Sequence, residues 1–231
     1  MNYILFDSQR ENFFPLTFTR PVCEIRIGIL TIREKWEKHL KATTSTITEE
    51  YLSKKFPLKE SKQNLLINGS VCPNKNLVKD ILSLKTGEAL FSGETLIALN
   101  SDKADTGNFI RQKETKAFSF AIKNTWDIFQ RNGKAIEDDF ELLTKGKKSQ
   151  KISKTNKVLN AKNIFIERGA KVECSILNAS TGPIYIGKDA EIMEGSLIRG
   201  PFSLGDHSQL KMGAKIYGPT TIGPESKVGG E

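Results

Sequence analysis

Residues 186–228 read IGKDAEIMEGSLIRGPFSLGDHSQLKMGAKIYGPTTIGPESKV. Every sixth residue is aliphatic: Ile186, Ile192, Ile198, Leu204, Leu210, Ile216, Ile222 and Val228. The position four residues after each is small at Ala190, Ser196, Ser208, Ala214, Thr220 and Ser226, with Phe202 the exception. A second period lies over the first. Gly182-Pro183, Gly200-Pro201 and Gly218-Pro219 recur every eighteen residues, and so do Gly187, Gly205 and Gly223. Three faces of six residues make one coil of eighteen, which is the signature of a triangular parallel β-helix. The aliphatic side chains point inward and stack from coil to coil. Glycine and proline serve the corners, where the backbone bends sharply.

Upstream, Ile166, Val172 and Ile176 read as an earlier partial coil whose phase is off by two residues. The insertion is expected within Leu177–Pro183 (LNASTGP), as a loop projecting from one corner. Downstream, Glu231 falls in mid-coil, just after Val228-Gly229-Gly230. A solenoid needs a cap over its last apolar rung and open strand edges. The expectation is that the chain is the front part of a longer protein, or that another surface covers this end.

Before residue 160 the pattern is different. Asn2–Phe6, Ser45–Thr48, Asn64–Asn68 and Leu96–Asn100 read as strands. Ile25–Leu40 (IRIGILTIREKWEKHL) has apolar residues at helical spacing, and a charged helix follows from Glu49. Asn74 or Asn76 caps a helix running to about Leu84. Asn124–Arg131 and Ala135–Thr144 read as helices split by Asn132-Gly133. Such alternation predicts an α/β layer fold with a mostly parallel sheet. The expected organisation is an α/β domain over 1–150, a basic linker over 151–162 and the β-helix over 163–231.

Composition narrows the function classes. In 231 residues, 38% are hydrophobic and 27% charged, an ordinary globular balance. No apolar run approaches the roughly 20 residues of a membrane span, and the N-terminus has no signal-peptide pattern. The net charge of +8 comes mostly from scattered lysines. Its densest stretch, Lys145 to Lys157, is interleaved with Gly146, Ser149, Ser153 and Asn156 rather than aromatics. It therefore reads as a solvated linker and not as a nucleic-acid track. Cys23, Cys72 and Cys174 form no C-x-x-C, so reduced, cytoplasmic thiols are expected. With only His39 and His207, one copy of the chain cannot build a three-histidine metal site.

Several stretches carry a resemblance. They are Pro15-Leu16-Thr17-Phe18-Thr19-Arg20-Pro21-Val22, Arg26-Ile27-Gly28-Ile29-Leu30 and Asn178–Ile198 (NASTGPIYIGKDAEIMEGSLI), together with the hexapeptide ladder. The sequence resembles the bifunctional N-acetylglucosamine-1-phosphate uridyltransferase/glucosamine-1-phosphate acetyltransferase family, in a shortened branch found in Bacteroidetes-type bacteria. The resemblance covers nearly the whole chain. It implies a nucleotidyltransferase-like α/β domain followed by a left-handed β-helix of the acyltransferase type. The left hand comes from the resemblance alone, since crossover connections usually favour the right. It further implies Mg²⁺ and an NTP for the front domain, acetyl-CoA for the β-helix, a sugar phosphate or nucleotide sugar as partner, and a homotrimer.

The departures from that family are specific. Where it carries a glycine-rich phosphate loop after the first strand, this chain has Asp7-Ser8-Gln9-Arg10-Glu11-Asn12. Arg10 remains a candidate phosphate contact. Arg20 stands for the lysine that normally precedes the proline of the signature, and Lys123 is a further candidate. Where the family places Gly-Asp to hold Mg²⁺, this chain reads Asn68-Gly69-Ser70, with a neutral hydroxyl instead of a carboxylate. Asn68 and Gly69 are carried as substrate-binding candidates. Within Glu137-Asp138-Asp139, Asp138 and Asp139 are candidate metal ligands; the alternative is the polar face of a helix beginning near Ala135. On the ladder, His207 in Gly205-Asp206-His207-Ser208 has the intrinsic pKa of a general base; the alternative is an exposed corner residue.

Two functions follow. One is a sugar-phosphate-modifying transferase of nucleotide-sugar biosynthesis. The other is a non-catalytic nucleotide-sugar-binding or trimer-assembly module with a degenerate front domain.

Overall fold

The computed structural model describes residues 1–118 and 120–229. They divide into two compact units, Met1–Ile25 with Leu30–Thr125, and Arg26–Ile29 with Trp126 onward.

In the first unit, β1 (Asn2–Phe6) is followed by two short strands, β2 (Arg26–Ile27) and β3 (Leu30–Thr31), of which β2 belongs to the second unit. Helix α1 spans Ile32–Leu40 and starts on a capping box. The Thr31 hydroxyl accepts from the Glu34 N–H at 3.1 Å, and the Glu34 carboxylate accepts from the Thr31 N–H at 2.7 Å. The sequence reading began this helix at Ile25. Gly28 prevents that, because it turns the chain at φ 76°. Next come β4 (Ser45–Ile47) and β5 (Asn64–Asn68), then α2 (Lys75–Leu82). Asn74 caps α2, accepting from the Asn76 and Leu77 N–H groups. The helix expected from Glu49 is only a 3-10 turn over Glu50–Leu52.

Strands β6 (Glu88–Ser92), β7 (Thr95–Ser101) and β8 (Arg111–Glu114) complete a sheet of order β4-β1-β5-β7-β6-β8. Strand β1 runs parallel to β4 and β5, whereas β7 is antiparallel to β5 and β6. Strand β8 is parallel to β6, so five of the six strands run one way, as expected, and β7 alone is reversed. The cause is local: Ser92-Gly93-Glu94-Thr95, with Gly93 at φ 57°, is a hairpin turn. Strand β5 is buried along its whole length, as a strand covered on both faces must be.

In the second unit, α3 (Thr125–Gln130, its first residue belonging to the first unit) leads into α4 (Asn132–Thr144). Asn132-Gly133 opens α4 rather than splitting the helices further along. Gly133 is required there, because a Cβ would lie 2.9 Å from the Pro219 ring.

Twelve short strands follow, in three parallel sheets. The first sheet holds β10 (Ile164–Ile166), β13 (Ile184–Ile186), β16 (Phe202–Leu204) and β19 (Thr220–Ile222). The second holds β11 (Lys171–Val172), β14 (Glu191–Ile192), β17 (Gln209–Leu210) and β20 (Lys227–Val228). The third holds β9 (Lys157–Leu159), β12 (Ile176–Asn178), β15 (Leu197–Arg199) and β18 (Lys215–Ile216). The chain visits the sheets in rotation, which is the strand arrangement of a parallel β-helix. Ile186, Leu204 and Ile222 are register partners in one column. Ala190, Ser196, Phe202, Ser208 and Ala214 are buried beside the aliphatic ladder. The buried hydroxyls are satisfied: Ser196 donates to the Met193 carbonyl at 2.8 Å, and Ser208 to that of Gly223 at 2.7 Å.

The early phase shift has two parts. Leu177, not Ile176, is the inward residue, and it pairs in register with Val158 and Ile198. One residue is missing between Val172 and Leu177 relative to Ile192 and Ile198. Three extra residues lie between Leu177 and Ile186 relative to Ile198 and Leu204. The net offset of two is the one visible in the sequence, but Ile176 faces outward. The stretch expected as a linker carries β9, and Ile152 and Val158 pack on the ladder core. The expectation about chain-end capping at Glu231 lies outside the described residues.

Candidate functional site

The sheet order puts a crevice at a definable place. From β1 the chain moves outward to β4, then crosses back to β5 on the other side of β1. The segments after β1 and β5 therefore diverge, and ligands of open α/β sheets bind beyond the carboxyl ends of strands at such a point. Phosphate-loop candidate Arg10 follows β1, while Asn68 ends β5 and Gly69 follows it.

On the other side of β1, an open groove of about 900 Å³ lies beyond the carboxyl ends of β1 and β4, lined by Asp7, Arg10 and Glu11 after β1, by Phe14 and Phe18, and by Thr48, Glu49 and Tyr51 after β4. Arg10 does not project into it as a free cation. Its Nη2 donates to the Thr17 carbonyl and to the Tyr51 hydroxyl, while its Nε lies 3.8 Å from Asp7 Oδ2. The guanidinium sits 5.6 Å from the Phe14 ring centroid and 5.5 Å from that of Tyr51. Arg10 is thus the bolt of the loop, built into its wall. Asp7 is equally committed. Its Oδ1 accepts from the Val22 N–H at 2.7 Å and its Oδ2 from the Thr48 hydroxyl at 2.6 Å. Burial raises the Asp7 pKa above the usual carboxylate value, against the pull of those bonds and of Arg10.

Arg20 is exposed and makes no hydrogen bond or ion pair among the described residues. It is the cation on this loop with its charge uncommitted, but it does not line the groove. The Lys123 carbonyl accepts from Asn12 Nδ2 at 3.0 Å, tying its segment to the loop after β1.

Asn68-Gly69-Ser70 is a closed turn. Asn68 Oδ1 accepts from the Ser70 N–H at 3.0 Å and from its hydroxyl at 2.8 Å, while Asn68 Nδ2 donates to the Leu96 carbonyl at 2.9 Å. Gly69 donates to the Phe6 carbonyl at 2.8 Å, and a Cβ on it would stand 3.0 Å from that oxygen. The Ile122 N–H donates to the Ser70 carbonyl at 3.0 Å, so the turn is roofed by the segment around Ile122. Asn68 and Ser70 are buried, and each of their side-chain nitrogen and oxygen atoms has a hydrogen-bond partner. These residues do not fit a divalent cation, because the turn is buried, its side-chain oxygens are already hydrogen-bonded and it offers no carboxylate.

The remaining metal candidates are engaged elsewhere. Asp138 pairs with Lys134 at 2.5 Å on the outer side of α4. Asp139 is buried, and its Oδ2 accepts from the Ile29 N–H at 2.8 Å. Beside it, Asn132 Oδ1 accepts from the Gly28 N–H at 2.8 Å and from the Thr221 hydroxyl at 3.1 Å. Asp139 is a clamp for residues 28 and 29, so the two acids play separate structural parts. Among the described residues no group of three or more His, Cys, Asp or Glu is placed to hold a metal ion.

On the β-helix, His207 sits at the corner between β16 and β17 at φ 57°, exposed, with Nδ1 3.9 Å from Asp189 Oδ2. A separate shallow groove of about 330 Å³ lies on the outer side of the third sheet, lined by Ile176, Leu197, Arg199, Lys215 and Tyr217. Its lining mixes apolar side chains with two cations, Arg199 and Lys215. His207 does not line it.

Phe14, Phe18, Thr48, Glu49 and Tyr51 escaped the sequence reading as groove residues. Phe14 and Phe18 had one signal, the apolar run Phe13-Phe14-Pro15-Leu16 within a loop. Tyr51 had none, since only the β1–β4 pairing brings it alongside Arg10.

No helix among the described residues is long and apolar enough to cross a membrane. No curated protein sequence matches the chain. A sequence profile of the family described as sugar nucleotidyl transferase matches residues 3–148, which include every strand of the front sheet from Tyr3 onward and the crevice at its carboxyl edge. By that match over more than half of its length, the chain belongs to the sugar nucleotidyl transferase family.

Proposed function

We propose that this protein modifies sugar phosphates, and that its front unit binds a nucleotide or nucleotide sugar while carrying out little or no nucleotidyl transfer. One observation carries the reading: a 900 Å³ groove stays open beyond the carboxyl ends of β1 and β4, while the Asn68–Ser70 turn after β5 is closed and buried. Phosphate would meet Arg20 in preference to Arg10, whose guanidinium already serves the loop. The β-helix is taken as a left-handed, acyltransferase-type scaffold that assembles as a homotrimer in a reducing, cytoplasmic setting. The amino sugar would there attack an acetyl-CoA thioester, with His207 outside the groove, lined by Arg199 and Lys215, that we assign to the donor.

The test is pyrophosphate release with a panel of NTP and sugar 1-phosphate pairs in Mg²⁺ and Mn²⁺, alongside equilibrium binding of the same nucleotides. Saturable binding without turnover, weakened by Arg20→Ala, is the expected result. Robust turnover abolished by Arg20→Ala would establish the second reading, an active nucleotidyltransferase, which the family match favours.

A further inference from the structure

The groove beyond β1 and β4 is walled by aromatic rings that remain open to water. Phe14 is 40% exposed, Phe18 52% and Tyr51 61%. Large apolar side chains left bare together in one concavity mark a binding surface rather than a packing accident. Phe14 and Phe18 are stacked, with centroids 4.4 Å apart and planes 25° from parallel. The Arg10 guanidinium then continues the pile from Phe14 to Tyr51. The layers are held from both ends: the Tyr51 hydroxyl donates to the Phe18 carbonyl at 2.8 Å and accepts from Arg10 Nη2 at 2.5 Å. The Thr17 hydroxyl donates to the Arg10 carbonyl at 2.9 Å. Rings fixed this way lose little freedom when a flat ligand covers them.

The polar groups of the groove say which flat ligand. Asp7, Glu11 and Glu49 line it against the single cation Arg10. Phosphate is repelled from such a lining, so this is not where a phosphate chain lies. The Glu11 and Glu49 carboxylates make no hydrogen bond or salt bridge among the described residues. A carboxylate accepts two hydrogen bonds side by side. The complementary edge presents adjacent N–H donors, as the ring N–H and amino group of guanine do; uracil offers a single N–H.

Resting on the binding reading above, we infer that the Phe14–Phe18–Tyr51 wall with Glu11 and Glu49 is a nucleobase subsite that favours an amino-bearing base, guanine before uracil. Stacking supplies the affinity common to all bases, and the carboxylates supply the discrimination.

The experiment is calorimetric titration of the full chain with GMP, UMP and ribose 5-phosphate, and of the variants Phe18→Ala, Phe18→Trp and Glu11→Gln/Glu49→Gln. The expected order is GMP at least tenfold tighter than UMP, and UMP tighter than ribose 5-phosphate. Phe18→Ala should lower affinity for both nucleotides about tenfold and leave ribose 5-phosphate unchanged, while Phe18→Trp retains binding. The double glutamine variant should bring GMP and UMP within about threefold. Phe18 is half exposed, so its loss leaves the fold intact, and circular dichroism checks this. If GMP, UMP and ribose 5-phosphate bind alike and Phe18→Ala changes nothing, the base subsite is overturned while nucleotide binding stands. If UMP binds as tightly as GMP in the parent chain, the discrimination is overturned. If nothing binds, the binding reading itself fails and takes the subsite with it.

Discussion

Ser70 gives its hydroxyl proton to the side-chain oxygen of Asn68 at 2.8 Å, in a turn from which water is excluded. The same Asn68 oxygen also holds the Ser70 N–H. The position at which the resemblance implies a metal-binding carboxylate is thus a self-contained knot of neutral groups.

Restoring the carboxylate should therefore not restore a metal site. Ser70→Asp would set a negative charge against the Asn68 oxygen in a buried turn, and we expect a loss of at least about 3 kcal/mol. Ser70→Ala should cost ~1 kcal/mol, one net hydrogen bond, and leave nucleotide binding unchanged. Urea denaturation of both variants checks this. A stable Ser70→Asp protein that gains Mg²⁺-dependent turnover would contradict it.

The inward column of the β-helix gives a second expectation. Leu204 lies between Ile186 and Ile222 and is fully buried. Leu204→Ala should lose about 3 kcal/mol, and Leu204→Asp should abolish the β-helix. The readouts are thermal melts and limited proteolysis of residues 150–229.

Ile176 and Leu177 form an internal control for the phase of the first full coil. Ile176 is outward and exposed, whereas Leu177 has no exposed surface. Ile176→Asp should change stability by less than about 1 kcal/mol. Leu177→Asp should behave like Leu204→Asp, because it buries an unpaired charge. Equal effects of the two would mean that the register is wrong.

Asp7 supplies a dependence on pH. Burial raises its carboxyl above the ordinary 3.8 in the folded chain. Between that value and the raised folded one, the native state holds more protons than the unfolded state. Stability contributed by Asp7 therefore falls as pH rises through this window and levels off above it. Asp7→Asn keeps an oxygen for the Val22 N–H and removes the titration. Its stability relative to the parent should rise across the window and then stay constant, as followed by denaturant midpoints from pH 3 to 8. A difference independent of pH would exclude Asp7 as the cause.

The three thiols should react unequally. Cys23 and Cys72 are buried and Cys174 is exposed. Burial pushes the Cys23 thiol up to about 12, despite the Arg33 guanidinium beside it. A chromogenic disulfide reagent at neutral pH should titrate one thiol in the native protein and three in denaturant, and Cys174→Ser should remove the fast one.

How much of this could be read from the sequence depended on how local the causes were. The ladder from Ile186 to Val228 was legible because each coil repeats one packing problem at one spacing. Its start was not. Ile152 and Val158 pack on the ladder core one six-residue step apart, but the lysines around them read as a basic linker. The spacing alone points Ile176 inward, because a one-residue shortening after Val172 cannot be seen without the partner strands. Strands β6 and β8 were missed because residues such as Glu88 and Lys113, paired at 2.6 Å, carry no apolar alternation. In the groove, the sequence named Arg10 for its charge, but its role comes from Phe14 and from Tyr51, forty-one positions away. Asp139 was noticed for the same reason, and it proved to hold a backbone amide a hundred and ten positions upstream.

The assignment of Arg26–Ile29 to the second unit bears on how such a protein can be inherited. The Gly28 and Ile29 amides end on Asn132 and Asp139 of α4, and the Gly28 carbonyl on the Thr221 hydroxyl of β19. A single break near residue 125 therefore cannot yield two self-sufficient modules, since the upstream piece would carry away four residues that the downstream piece has built into its interior. Recombination that swaps a front domain onto a foreign β-helix would strand two amides and a carbonyl without their partners. The two halves are expected to pass through gene shuffling as one indivisible cassette.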